Sequence, residues 1–322
     1  MDKKTLALGF AATSVGFLGA AQAAVQPPAA PGLDEAKGVD EASFSAADAV
    51  VEHRAEWDLP AVRNERVDFW IEFLSGRNYD HTRLWLERAG KYGPMIQQKL
   101  AERDMPQDLL YLAMIESGLD PEIRSHAAAQ GMWQFISETG QRYGLEHSRY
   151  LDERNDPVRA TDAALGYLQD LHDRFGSWFL AAASYNTGEN RVERILNEKA
   201  GGQKGDDDLF WKIAPHLPRE TRDYVPLMLA MGHIAKDPEA HGFFGVKPMQ
   251  PWAFEEALVP GGTSLEEVAS AAGASLDEVK GLNAHLVKGR TPDERSYAVR
   301  LPQGSLSAFA ANFSGGAGTL VD

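Results

Sequence analysis

The stretch 109-LLYLAMIESGLDP-121 sets a solitary carboxylate at the end of an apolar run. At 3.6 residues per turn, Glu116 shares a helix face with Leu109, Leu112 and Ala113, while Leu110, Tyr111, Met114 and Ile115 cover the other side. A helix that is apolar nearly all round belongs in a core. A carboxylate buried there must find a partner or take up a proton. A plainer reading also fits, in which the glutamate reaches solvent beside the turn at "SGLDP". The stretch by itself leaves both open.

Outward from this helix the pattern stays helical from about residue 51 to 235. "NERVDFWIEFLSG" (64–76) spaces its apolar residues for a helix that ends at Gly76. "HTRLWLERAGKYGPMIQQKLAERDMP" (81–106) predicts two helices broken at Gly93–Pro94, because proline removes a backbone donor and crowds the preceding turn. "DPVRATDAALGYLQDLHDRFG" (156–176) predicts an amphipathic helix started by Pro157 and stopped by Gly176. "SWFLAAASYNTGENRVERILNEKA" (177–200) predicts two short helices jointed at Gly188, and "PRETRDYVPLMLAMGHIAKDPE" (218–239) a last one. No strand alternation shows here, so the domain expected over 51–245 is mainly α.

After a Pro- and Gly-containing connector the character changes. "SLEEVASAAG" and "SLDEVKGLNA" are short amphipathic helices with capping boxes at Ser264–Glu267 and Ser275–Glu278. "EEALV" and "SYAVRLP" flank them as short strands. A small βααβ domain over 254–304 is expected, followed by a tail over 305–322.

The N-terminus reads as a leader. Lys3 and Lys4 precede an apolar segment from Leu6 to about Leu18, and "AQA" at 21–23 offers a small-residue cleavage site, so residues 1–23 form a signal peptide. Residues 24–50, rich in Ala, Pro and acids, read as a flexible linker. There is no cysteine, which excludes a cysteine-linked lipoprotein and a disulfide scaffold. The net charge is −15; losing the leader removes one negative and two positive charges and leaves −16. A chain this acidic, with no basic patch, has no pull toward nucleic acid or anionic lipid. Its nine histidines form no metal-binding pair on one helix. "GDDD" at 205–208 lacks the alternating spacing of a calcium loop, and no phosphate-binding glycine loop occurs. No metal, no cofactor and no stable membrane insertion are expected.

Four segments in fixed order carry a more specific signal: "ESGLDP" (116–121), "SHAAAQGMWQF" (125–135), "SYNTGENRV" (184–192) and "ETRDYVPLMLA" (220–230). They resemble the motifs of the lytic murein transglycosylases with a goose-lysozyme-like fold, in particular the membrane-bound D type. The segments match that family's Glu-Ser, Gly-x-x-Gln, Ala-Tyr-Asn-x-Gly and Glu-Thr-x-x-Tyr-Val-Pro motifs. The C-terminal unit resembles a LysM module, through Gly262–Thr263, Leu282–Asn283 and Tyr297, Val299, Leu301 and Pro302. Departures are Ser184 for the commoner Ala, Leu227 where a Lys often follows "YVP", and "GGT" for the usual Gly-Asp-Thr turn.

The resemblance implies a lysozyme-like helical domain that cuts the β-1,4 bond between N-acetylmuramic acid and N-acetylglucosamine in peptidoglycan glycan strands. A hydrolase on this bond needs a second carboxylate, whereas closing a 1,6-anhydro ring uses the sugar's own 6-hydroxyl and needs one. Glu116 would be the single acid and then base, its proton retained by an apolar surround as that of the catalytic acid in hen lysozyme is. Ser117 and Ser125 would bond the glutamate or the substrate N-acetyl group. Gln134 would bind sugar, Met132 with Trp133 would line the cleft, and Tyr185 and Asn186 would point into it beside the Gly188 break. Tyr224, a packing residue by pattern alone, would face the glutamate. The implied location is the periplasm or cell envelope. A muramidase-type hydrolase on the same fold and a non-catalytic wall-binding scaffold are the alternatives.

Overall fold

Most helix ends fall where the sequence sets them, and the break expected at Gly93–Pro94 is the exception. The structure, a computed structural model, describes residues 57–314 and the backbone of Val50–Val51. The leader, the linker up to residue 49 and the tail end 315–322 lie outside the described residues. Val50–Val51 (β1) pairs antiparallel with Val62–Arg63 (β2), a two-residue ladder too short to show as alternation in a sequence. Asn64 caps α1 (Glu65–Ser75), its side chain accepting from the Arg66 and Val67 amides. The next helix, α2 (Tyr79–Ala101), runs straight through Pro94. This corrects the expected break at Gly93–Pro94. Tyr92, Ile96 and Leu100, on both sides of the proline, bury in one core, and that outweighs its cost of about 3 kcal/mol.

A single 3-10 turn leads into α3 (Leu110–Ser117), where every residue except Glu116 is buried. Then follow α4 (Ser137–Arg142) and α5 (Pro157–Phe175), the latter capped by Asp156 and closed by a left-handed Gly176 as its sequence requires. Gly188, at φ 89° and ψ 138°, joints α6 (Trp178–Thr187) to α7 (Glu189–Ala200). After α8 (Asp208–Ile213), α9 (Arg219–Lys236) is buried continuously from Asp223 to Ile234. Helices α3 and α6 both pack on α9, which forms the centre of the first domain.

The second unit has the expected βααβ order: β3 (Phe254–Val259), α10 (Leu265–Ala272), α11 (Leu276–Leu282) and β4 (Tyr297–Pro302). Its strands pair antiparallel from Phe254↔Pro302 to Val259↔Tyr297. Both capping boxes form. The stretch read as the start of a tail at 305 is corrected: Leu306–Asn312 is a helix, α12, whose Phe309 is 2% exposed in the core of this unit.

The two units are docked. Leu151 of the first domain is buried in the second unit's core. Backbone bonds cross from Asp152 N to the His285 carbonyl (2.9 Å) and from Val287 N to the Tyr150 carbonyl (3.0 Å). Asp156, the cap of α5, is 1% exposed and pairs at 2.9 Å with Arg300 on β4. Burial pushes the Asp156 carboxyl up, but Arg300 and the other partners outweigh it and hold it below its ordinary value. Burial pushes His285, 3.5 Å from the same carboxylate, down to about 4. The connector returns along α2, with Met249 N on the Glu87 carbonyl (2.8 Å) and Trp252 N on that of Lys91 (2.9 Å). Among the described residues no helix is long and apolar enough to cross a membrane.

Candidate active site

Directly behind Glu116 the chain makes an enforced turn. Gly118 caps α3 in the left-handed region (φ 62°), its N–H donating to the Met114 carbonyl at 2.8 Å. A Cβ there would stand 2.0 Å from Trp85 Nε1, so the glycine is required by space as well as by φ. Leu119 follows in the same region (φ 58°) although fully buried, a local cost of about 1–2 kcal/mol. Arg88 clamps the turn, donating to the Gly118 carbonyl (3.2 Å) and to Asp120 (3.0 Å).

Glu116 itself is half-buried. The Tyr224 hydroxyl, on a residue only 1% exposed, donates to its Oε1. Burial pushes the carboxyl up to about 8; the Tyr224 bond draws it down in part, and the nearby Glu220 carboxylate pushes it further up. At neutral pH Glu116 therefore carries its proton, which decides between the two readings of the opening stretch. With Oε1 occupied by Tyr224, that proton sits on Oε2. A protonated acid is a poor cation ligand. Burial, and then the charge of Glu116, push the phenols of Tyr185 and Tyr224 well above 10, so both remain neutral donors.

Several residues expected to bind sugar brace the 125–135 loop. Ser117, 6% exposed, donates to the Met132 carbonyl at 2.7 Å and accepts from Asp120 N at 3.2 Å. Gln134, 7% exposed with φ 49°, donates to the carbonyls of Gly131 (2.8 Å) and Ile123 (3.3 Å). Ser125, also 6% exposed, accepts from Ala129 N at 3.0 Å. Met132 and Trp133 are fully buried, and Trp133 Nε1 donates to Thr161 Oγ1 at 3.0 Å. In the structure the Ser117 hydroxyl and the Gln134 amide bond the loop backbone, and Met132 packs in the core. The hydroxyl and amide groups are taken up by backbone atoms that a tight loop leaves without partners.

Around Glu116 the structure does gather Tyr185, Asn186 and Tyr224. The Tyr185 hydroxyl donates to the Trp133 carbonyl at 2.7 Å, while its half-buried ring stands beside Phe135 and Tyr167. Asn186 accepts from Thr221 Oγ1 at 2.8 Å and donates to Glu220 Oε1 at 3.4 Å. Glu220 itself was not picked out from the sequence. The signal was available: it lies four residues before Tyr224, one turn along the same face of α9. Trp85 and Arg88 carried no such signal, because only tertiary packing brings α2 against the turn behind Glu116. Of the two departures in the first domain, Ser184 is fully buried with its hydroxyl unbonded, and Leu227 lies in the core at 2% exposure.

Residues 93–207, which contain three of the four motif segments, match the family described as the transglycosylase SLT domain. Residues 253–314 match the family described as the LysM-like domain of lytic transglycosylase MltD, a span that takes in α12. The chain is 37% identical over 222 residues to membrane-bound lytic murein transglycosylase D of Escherichia coli (strain K12), covering 68% of this chain and 47% of that protein. It is 34% identical over 149 residues to membrane-bound lytic murein transglycosylase F 2 of Alkalilimnicola ehrlichii, covering 43% of this chain and 31% of that protein. Among solved structures, the 70 kDa soluble lytic transglycosylase of Escherichia coli aligns at 25% identity with a TM-score of 0.41, over 56% of this chain and 29% of that one. The resemblance to the lytic murein transglycosylases is borne out, and the matched region spans less than half the length of these relatives.

Proposed function

We propose that this chain is a peptidoglycan lytic transglycosylase in which Glu116 acts first as acid and then as base. The observation that carries the reading is Glu116 itself: a carboxyl pushed to about 8 and oriented by Tyr224. The proton on Oε2 goes to the glycosidic oxygen as the C1–O bond breaks. Positive charge develops on the anomeric carbon and ring oxygen. The Glu116 carboxylate then takes the proton of the 6-hydroxyl while O6 bonds C1. One C–O bond breaks, one forms, and no water is consumed. A group poised near 8 suits both halves, protonated before the first step and basic enough for the second. The relatives, named lytic murein transglycosylases, support this reading. By the same reasoning the substrate is the murein glycan strand, the location is the cell envelope, and Tyr185 and Asn186 stand nearest it. The docked LysM-like unit adds a fixed surface for the strand rather than a swinging tether.

One observation favours a second reading. Glu220 lies within electrostatic reach of Glu116, and a hydrolase would use such a carboxylate to activate water. Product mass separates the two, since anhydro ends are lighter than reducing ends by one water. Mass spectrometry of digested murein should give anhydro ends from the parent and from Glu220→Gln. Reducing ends alone would end the transglycosylase assignment. A Glu116→Gln protein that cleared murein as fast as the parent would remove Glu116 as the acid.

A further inference from the structure

A file of tyrosine rings leads away from Glu116 into a recess that the bond-breaking step does not use. The Tyr185 ring lies 5.2 Å from that of Tyr167, which lies 5.0 Å from that of Tyr143. Beyond them α4, α5 and α7 surround an open recess of about 320 Å³, lined by Arg142, Tyr143, Tyr167, Asp170, Arg174 and Glu189 among others. Most of these side chains are already committed. Tyr143 donates to Asp170 at 2.9 Å, Tyr167 to Glu189 at 3.2 Å, and Arg174 to Glu193 at 2.5 Å.

Arg142 differs from them. Its guanidinium lies over both tyrosine rings, 5.1 Å from the centroid of Tyr143 and 5.3 Å from that of Tyr167. Its ion-pair partner, Glu189, stands 3.6 Å away, too far for a hydrogen bond, and the Arg142 side chain is 53% exposed. A guanidinium resting over two aromatic rings and half exposed can turn its remaining N–H groups to a planar oxyanion.

We propose that this recess is a subsite for the stem peptide of the glycan strand, in which Arg142 takes a peptide carboxylate. The proposal rests on reading the cleft as a peptidoglycan site. Muramic acid carries its peptide on a 3-O-lactyl group, so a strand cut at Glu116 must deliver a peptide beside the cleft. The free carboxylates of that peptide suit Arg142, and Asp170 and Glu189 across the recess suit its amino groups.

Binding tests this independently of the products of cleavage. Peptide-bearing and peptide-free murein tetrasaccharides are titrated calorimetrically into Glu116→Gln protein, and into the same protein carrying Arg142→Gln or Arg142→Lys. The expected result is an affinity for the peptide-bearing fragment about tenfold above that for the peptide-free one. That preference should vanish with Arg142→Gln and return in part with Arg142→Lys, with melting temperatures held. Equal affinity for both fragments, or a preference that survives Arg142→Gln, overturns the subsite and leaves the transglycosylase reading intact. Binding of neither fragment removes both. Reducing ends from the parent remove only the reaction type.

Discussion

Replacing Glu116 by glutamine removes a buried ionisable group and keeps an acceptor for the Tyr224 hydroxyl, so its effect on stability has a fixed sign with pH. In the folded chain the carboxyl titrates at about 8, against an ordinary 4.5. Between those values the folded protein holds a proton that the unfolded chain has released. Stability of the parent is therefore greatest below the unfolded value, falls as pH rises through this window, and levels off above the folded value. At about 1.4 kcal/mol per pH unit, the whole separation corresponds to roughly 5 kcal/mol, an upper bound. Water reaching the half-buried carboxyl screens part of that. The stability of Glu116→Gln minus that of the parent should then grow by about 1–2 kcal/mol between roughly pH 6 and pH 8. Urea unfolding at constant ionic strength measures it, with equal m-values as the control. A difference that stays flat, or shrinks as pH rises, would refute the claim that Glu116 is held protonated by burial.

Three further outcomes are expected. Tyr224→Phe removes the hydrogen bond that lowers the Glu116 value, so the alkaline limb of the pH–rate profile should move to higher pH while cleavage slows about tenfold; a limb moving to lower pH contradicts the assignment. Gly118→Ala sets a Cβ 2.0 Å from Trp85 Nε1 at φ 62°, and should cost about 1–3 kcal/mol in urea melts and lower activity with it; a melt superposing on the parent's would show that the turn is not confined. Arg300→Ala leaves buried Asp156 without its nearest cation, Arg159 standing 3.9 Å away, and should cost about 3–5 kcal/mol and open the connector 243–253 to protease. A loss below about 1 kcal/mol would mean that the interface does not depend on this pair.

The helix ends were legible because their signals are local. Gly76, Pro157, Gly176, Gly188 and the two Ser–Glu capping boxes act within one turn of chain, and each does what its position requires. Where the outcome depends on packing, local rules misled. Pro94 breaks a helix in isolation, yet α2 continues because residues before and after it bury in one core. Nothing local to Phe309 marks the stretch after 305 as structured, and only the face of α10 against which α12 packs makes it a helix of the second unit.

The candidate site divides along the same line. Residue order alone placed a lone acid at the end of an apolar helix, and the family resemblance added Tyr185, Asn186 and Tyr224 as its expected neighbours. It could not say which polar side chains of the motifs meet substrate and which hold the loop, since a serine or glutamine donates equally well to a sugar or to a backbone carbonyl. Tertiary structure decided that Ser117 and Gln134 brace the loop, that Glu220 stands near Glu116, and that the second unit is docked through Asp156 and Arg300. The sequence by itself determined the mainly helical fold class, because apolar periodicity and caps are written residue by residue, and it singled out Glu116 only through the resemblance of its motif. The proton on that acid belongs to the tertiary structure, because desolvation and the bond from Tyr224 exist only once α3 and α9 have packed together.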